Sequence, residues 1–415
     1  MADRPTVVVI GTLDTKGPET AYLRDRVQAL GAETVVVDSG ILGGPDGIAP
    51  DVTREEVARA AGTTLEAVRA AGSRGAAVER MMAGVAETCR RLFAAGRCHG
   101  LVALGGAEGA VLAAAGMQAL PLGVPKVLVT PLASGRRTFG PFVGTRDVMV
   151  MHSVIDILGL NEVSRAIFDQ AAAAVAGMAA AGRPVARGAR PLLAVTMLGN
   201  TTPAVMRMKP ALEALGRDVL VFHANGVGGR AMEEMVGEGR IAAVLDYTLS
   251  ELTDELAGGL HAGGPDRLEA AGARGIPQVV VPGCIDFIVA GPRDGLPDAW
   301  RGRATYYQNP AFTLVRTSRE EMAAVGRTMA RKLSAARGPV AVAIPLGGLS
   351  AANRPGGELH DPAGDAAFRE ALKAGLRPGI PVVEMDAHIN DAAFADRVVA
   401  LMRETAGLGG RPRSE

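Results

Sequence analysis

Apolar and polar positions alternate between two spacings along almost the whole chain. Residues 6–10 (TVVVI), 34–37, 100–104 and 126–130 are short apolar runs closed by Gly, Asp or Pro, and they read as strands. Between them lie stretches with helical spacing: from Pro18 to about 30, shorter pieces beginning near Thr53 and Thr64, 76–95, 108–118, and two helices expected between 147 and 181. Thr53 followed by Arg-Glu-Glu has the form of an N-cap with an acidic first turn. The alternation restarts at residue 192. Strands are expected at 192–196, 219–222, 241–245, 278–281, 312–316, 340–344 and 382–385. Helices are expected after GNTTP to about 215 and at 231–238, 250–256, 266–273, 318–335, 366–374 and 391–404, with irregular chain over 286–303.

Strand and helix taking turns imply an α/β fold: parallel sheets covered by helices on both faces. Residues 181–191 (AGRPVARGARP) have no period, which divides the chain into a domain over 1–182, a linker over 183–190 and a second domain over 191–415.

Composition narrows the function. Lys plus Arg and Asp plus Glu both number 44 in 415 residues, and aromatics are 3%, so nothing supports general nucleic-acid binding. Cys89, Cys98 and Cys284 form no C-x-x-C pair, which fits a reducing compartment. No apolar run reaches the ~20 residues of a membrane span. The expectation is a soluble, cytoplasmic protein with no membrane partner.

Ligands of open parallel sheets sit beyond the carboxyl ends of the strands, so the loops there carry the candidates. GTLDTKG follows the first strand. Gly11 turns the chain, Thr12, Thr15 and Lys16 suit phosphate oxygens, and Asp14 suits a sugar hydroxyl or hydrated magnesium. Neither G-x-x-x-x-G-K-[ST] nor G-x-G-x-x-G is present there. Asp38 ends the second strand, where Rossmann folds place a ribose-binding carboxylate. Gly105 and Gly106 open the turn after the third, with Glu108 close by; Arg136 and Arg137 follow the fourth.

In the second half, GNTTP offers Gly199, Thr201 and Thr202, and HANGVGG offers Gly226, Gly228 and Gly229 as anion-binding turns. His223, Asp246, Asp386 and His388 lie at strand ends and form the candidate acid–base set; no metal-ligand spacing is present among them. Cys284 also follows a strand, as a nucleophile would.

Segments in the same order along the chain, IGTLDTKG, LPLGVPKVLV, TTPAV, FHANGVGGRAMEE, ELTDELAGG, GPDRLEAAG and MDAHINDAAFAD, resemble the Tm-one-like ATP-binding family. The resemblance implies two Rossmann-like domains, ATP binding and a homodimer. It places nucleotide contacts on Gly11, Thr12, Asp14, Thr15 and Lys16 and on the Gly105-Gly106 turn. The family tends to have G-G-S-G-G-T at that turn, where this chain has Gly105-Gly106-Ala107-Glu108-Gly109-Ala110. The leading expectation is therefore a protein that holds ATP, with magnesium, at strand ends near the domain cleft. The alternative is an enzyme of lyase or hydrolase type, acting on a small carboxylate or phosphorylated metabolite in the second domain.

Overall fold

The computed structural model describes residues 4–133, 140–182 and 188–408. Arg136, Arg137 and most of the expected linker lie outside the described residues. The chain divides into two compact units, Met1–Ala186 and Arg187–Glu415.

In the N-terminal unit, β1 (Thr6–Gly11), β2 (Glu33–Asp38), β3 (Gly100–Leu104), β4 (Lys126–Thr130) and β5 (Met149–His152) form one sheet in the order β2-β1-β3-β4-β5. Every pairing is parallel. The helices are α1 (Leu13–Ala29), α2 (Arg54–Ala60), α3 (Leu65–Arg69), α4 (Arg74–Ala94), α5 (Ala107–Ala119), α6 (Gly140–Val143) and α7 (Glu162–Ala181). Successive strand residues point to opposite faces. Val8 and Ile10 accordingly pack with α2 to α5, while Val7 and Val9 pack with α1 and α7. From β1 the chain leaves into α1 on one face; from β3 it leaves into α5 on the other. The strand order reverses between these two, so a crevice opens at their carboxyl ends.

Local chemistry sets the helix starts. Thr53 and Glu56 form a reciprocal capping box at α2, and Thr64, Ser73 and Asn161 cap α3, α4 and α7. α1 begins with a single turn at Leu13 and is kinked at Lys16 (φ −130°, ψ 23°). Its continuous part starts beyond the kink with Pro18 in the first turn, where the missing N–H costs nothing. The expectation of two helices between 147 and 181 is corrected: the first segment is β5, an edge strand. Pairing with β4, from Val127 opposite Met149 to Thr130 opposite His152, supplies an order that four residues do not announce alone.

In the C-terminal unit, β6 (Leu192–Met197), β7 (Asp218–His223), β8 (Ile241–Thr248) and β9 (Gln278–Gly283) are followed by β10 (Phe287–Ala290), β11 (Thr305–Asn309) and β12 (Phe312–Arg316), then β13 (Val340–Pro345) and β14 (Val382–Met385). The main sheet is parallel, in the order β14-β13-β9-β8-β6-β7. α8 (Thr202–Glu213) and α14 (Ala392–Thr405) cover one face; α12 (Arg319–Ser334) and α13 (Pro362–Gly375) cover the other. Three shorter helices complete the unit: α9 (Gly228–Gly237), α10 (Ser250–Ala257) and α11 (Ala270–Arg274). β10, β12 and β11 make a separate antiparallel sheet. The expectation of irregular chain over 286–303 is thus corrected at its start. Phe287 and Val289 pack toward Leu198 and Leu314, while Ile288 and Ala290 pack on the other side with Val315.

Glycines within the helices are of two kinds, those that packing requires and those that face open space. A Cβ on Gly84 of α4 would fall 2.2 Å from the Val57 carbonyl oxygen of α2, whereas a Cβ on Gly177 of α7 would meet nothing within 4 Å. Gly84→Ala is therefore expected to lower the urea midpoint, at a cost of about 1–3 kcal/mol. Gly177→Ala should raise it by about 0.4–1 kcal/mol, because the unfolded chain loses freedom. Equal shifts in both variants would contradict the packing described.

Candidate functional site

A cavity of about 920 Å³ lies at the carboxyl ends of β1 and β3. Three walls build it. The first is the turn after β1, with Thr12, Asp14, Thr15 and Lys16; the second is the start of α5, from Gly106 to Gly109 with Val111; the third is α4, through Arg74, Gly75, Val78, Glu79 and Met82. Ile41 and Leu42, from the loop after β2, close one side. The first two walls touch, since a Cβ on Gly109 would lie 3.7 Å from the Thr12 hydroxyl.

Each predicted residue of the first wall has a definite place. Gly11 ends β1 and is not among the residues lining this cavity; a side chain there would strike Thr20 Oγ1 at 2.4 Å. The hydroxyls of Thr12 and Thr15 lie 3.0 Å apart. Among the described residues, the Lys16 ammonium has no hydrogen bond or ion pair. Gly17 is required by packing, because a Cβ there would lie 1.7 Å from the Asp46 carbonyl oxygen. Asp14 faces the cavity with Arg54 3.9 Å behind it. Burial raises its carboxyl above the ordinary value; Arg54 opposes this, and the charges of Asp38 and Glu108 add to it.

On the second wall, Gly105 is a packing glycine, 2.6 Å from Gly109 by its absent Cβ, while Gly106 faces open space. Gly106 is the N-cap of α5 and brings no side-chain cap, which leaves the first helical amides to other acceptors. Glu108, in the first turn of α5, accepts from Arg74 Nε at 2.6 Å.

The ribose role expected of Asp38 is corrected. Asp38 is fully buried. Its Oδ2 accepts from Arg54 Nε at 2.7 Å, and its Oδ1 accepts from the amides of Leu13 and Gly40. Both oxygens are committed to holding the first turn.

The second unit uses its predicted residues internally. Asp246 is 1% exposed and takes Arg267 through both oxygens, at 2.5 and 2.7 Å, together with the Thr196 hydroxyl at 2.7 Å. Arg267 also reaches Glu251 at 2.7 Å and Glu233 at 3.2 Å. The HANGVGG turn does bind an anion, but the anion is Glu251, whose Oε1 accepts from the amides of Gly226 at 2.8 Å and Gly229 at 3.0 Å. Gly228 is packed against the His223 carbonyl. Gly226 and Gly229 therefore hold a side chain of their own unit, and the Gly228 amide donates to Asn225 Oδ1 at 3.3 Å. At GNTTP, Thr201 donates or accepts with Thr248 Oγ1 at 2.8 Å, and Thr202 donates to the Leu198 carbonyl; only Gly199 is open.

The acid–base set does not assemble. β7 and β14 are opposite edges of the six-stranded sheet, so His223, ending β7, and Asp386, just beyond β14, leave the sheet about 24 Å apart at ~4.8 Å per strand; the chain then turns back over the sheet, where the Ile389 carbonyl accepts from Tyr247. The His388 ring is committed: Nε2 donates to the Ser350 carbonyl at 2.9 Å and Nδ1 accepts from the Asn390 amide at 3.2 Å. Asp386 is exposed beside it. Among the described residues no group of three or more His, Cys, Asp or Glu could hold a metal. Cys284 is fully buried, and burial raises its thiol well above the ordinary range, with Asp286 adding to this. It is no nucleophile in this state.

Residues 5–184 match the family described as uncharacterised protein family UPF0261, N-terminal domain, and residues 190–406 match its C-terminal domain. The chain belongs to the UPF0261 family. A UPF0261 protein of Clostridium tetani is 40% identical over 94% of this chain and 96% of its own length. One from Rhizobium meliloti is 40% identical over 96% of this chain and 99% of its own. The tomato ToMV resistance protein Tm-1(GCR237) is 36% identical over 72% of this chain, a match that takes in 40% of the tomato protein. The resemblance read from the loops is thereby shown at the level of the family. No described helix of this UPF0261 chain is long and apolar enough to cross a membrane.

Sequence reasoning missed the third wall of the cavity. Arg74, Val78 and Met82 follow one another at intervals of four, the spacing of one helix face, but nothing in a lone helix says which loop that face meets. It also missed the buried arginines, Arg54 and Arg267, which decide what Asp38 and Asp246 do.

Two outcomes follow from the buried charges. Arg267→Met leaves Asp246 and Glu251 without their cation and is expected to destabilise the C-terminal unit by about 3–5 kcal/mol in denaturant unfolding. Asp286 is fully buried, and burial pushes its carboxyl up to about 6, against the opposing charge of Arg316. A raised folded value means that the contribution is fully present below about pH 4 and is lost as pH rises toward 6. Stability measured from pH 4 to 7 should carry a fall of up to about 3 kcal/mol from this group. Asp286→Asn should lack that fall, and an unchanged profile would refute the assignment.

Proposed function

We propose that the N-terminal unit binds a phosphorylated ligand of nucleotide type, ATP with magnesium in the first instance, in the cavity at the ends of β1 and β3. The observation that carries this reading is the coincidence of three things. The cavity lies where the strand order reverses, the place open parallel sheets reserve for ligands. It is lined by the uncapped start of α5 at Gly106, which suits an anion. It also holds a lysine, Lys16, with no partner among the described residues.

The polar and apolar lining is divided in a way that suits this ligand class. Lys16, Thr12, Thr15 and the Gly106 turn form the polar side, where phosphate oxygens would be held by charge and by main-chain donors. Ile41, Leu42, Val78, Met82 and Val111 supply an apolar side of the kind a base would rest against. Asp14, a cavity carboxylate with no side-chain hydrogen bond to another side chain among the described residues, suits a hydrated magnesium ion; the ion would offset phosphate charge. Residues of this chain bind and orient in this reading, and no chemical step is assigned to them. The family relationship to Tm-1 agrees with a shared fold and adds no ligand of its own.

Calorimetric titration with ATP and magnesium tests the reading. Lys16→Ala is expected to weaken binding by about 1.5–3 kcal/mol, the range for a hydrogen bond to a charged group. Arg267→Met, in the other unit, should leave affinity unchanged wherever the protein remains folded. Equal affinity of the Lys16→Ala variant and the parent chain would remove phosphate binding from this turn.

A further inference from the structure

The walls of the cavity carry more acid than base. Asp14, Glu79 and Glu108 line it against Lys16 and Arg74. An anion entering it therefore meets carboxylates, and one of these, Glu108, is already paired with a cation that an anion would seek. Glu108 stands in the first turn of α5, at the positive end of the helix. It lies 2.5 Å from Arg74 Nη2 and 2.6 Å from Arg74 Nε. Arg74 is itself the first residue of α4, where a cation lies at the positive end of its own helix and gains nothing from the dipole. The positive start of α5 and the Arg74 guanidinium thus act on one carboxylate. Its charge also reaches across the cavity to Asp14, whose carboxyl it helps to raise.

The pair is not a structural necessity. The Arg74 side chain is 83% exposed and that of Glu108 26% exposed, the setting in which ion pairs contribute at most about 1 kcal/mol. Neither residue is in the hydrophobic core.

We propose that Glu108 is an internal counter-ion which holds Arg74 in the empty cavity and yields it to the incoming phosphate, so that Glu108 sets the affinity and salt dependence of the site. The proposal rests on the phosphate-binding reading above. Anion entry exchanges one partner of Arg74 for another, and the displaced Glu108 carboxylate remains as a like charge that weakens the final complex. Removing this charge should therefore tighten binding, and removing Arg74 should weaken it.

The test is titration of the full chain with ATP and, separately, with inorganic pyrophosphate, each at low and at physiological salt. Glu108→Gln is expected to bind both about tenfold more tightly at low salt, the effect of one like charge a few ångströms away in a partly solvated site. The gain should shrink at higher salt. Arg74→Met should bind several-fold more weakly, and in its background Glu108→Gln should still tighten binding. Melting temperatures of the variants near that of the parent exclude misfolding as the cause. If the parent chain binds and Lys16→Ala weakens it, but Glu108→Gln binds no better, the counter-ion role is overturned and the phosphate reading stands. If neither the parent nor Glu108→Gln binds either probe, both fall together.

Discussion

Reversal of strand order beside the first strand of each sheet is the constraint from which the rest follows. β1 has β2 on one side and β3 on the other, and β6 has β7 and β8. A parallel sheet must return each connection over a face, because the next strand starts at the opposite end. At the reversal, the connections on either side leave to opposite faces, and the helices cannot close over the gap between them. The apolar strands need helices on both faces, which fixes the two cores; the gap fixes where open chain remains. Glycine turns collect there because only they let main chain pass as closely as Gly105 passes Gly109.

The two units answer this constraint differently. Free amides at a helix start require an acceptor, and a carboxylate of the same unit serves as well as a ligand does. In the C-terminal unit, Glu251 takes the amides of Gly226 and Gly229 and also accepts from Arg267, which in turn holds Asp246 on β8. The network ties the turn before α9 to α10 and to the middle of the sheet. Its charges are buried and mutually satisfied, so it specifies the arrangement of these elements. In the N-terminal unit, Arg54 and Asp38 form the corresponding buried pair, and it meets the cavity only from behind, at Asp14 and the Leu42 carbonyl. Lys16 and the Gly106 turn remain outside it.

Local pattern made most of this architecture legible. The parallel strands were readable because a strand buried on both faces is an unbroken apolar run, and Thr53, Thr64 and Pro18 marked helix starts by their own chemistry. β5 and β10, four residues each, were not readable, since their order comes from partners on β4 and β12. The site was legible in its loops and illegible in its pairings. Asp38 and Asp246 stand at strand ends, where a ligand-binding acid would stand. Their partners Arg54 and Arg267, 16 and 21 residues further on, have no spacing that a helix or hairpin would reveal. For the same reason the glycines of HANGVGG read as a ligand turn and gave no sign that Glu251 takes the amides of Gly226 and Gly229.

The fate of Asp38 also bears on which nucleotide the N-terminal cavity suits. A dinucleotide site of Rossmann type relies on a carboxylate at the end of the second strand to hold the ribose hydroxyl, and on three glycines that let main chain approach the pyrophosphate. Here the carboxylate is turned inward to Arg54, and its remaining oxygen takes two amides of the chain. The turn after β1 presents Lys16 and two threonine hydroxyls where the glycine fingerprint would bring bare main chain. Such a cavity would hold its ligand at the phosphate end by charge and at the other end by the apolar face of Val78, Met82 and Ile41. It would take little grip on the sugar. Under the nucleotide proposal, the inward-turned Asp38 fits a mononucleotide better than a Rossmann-type dinucleotide, which relies on that carboxylate.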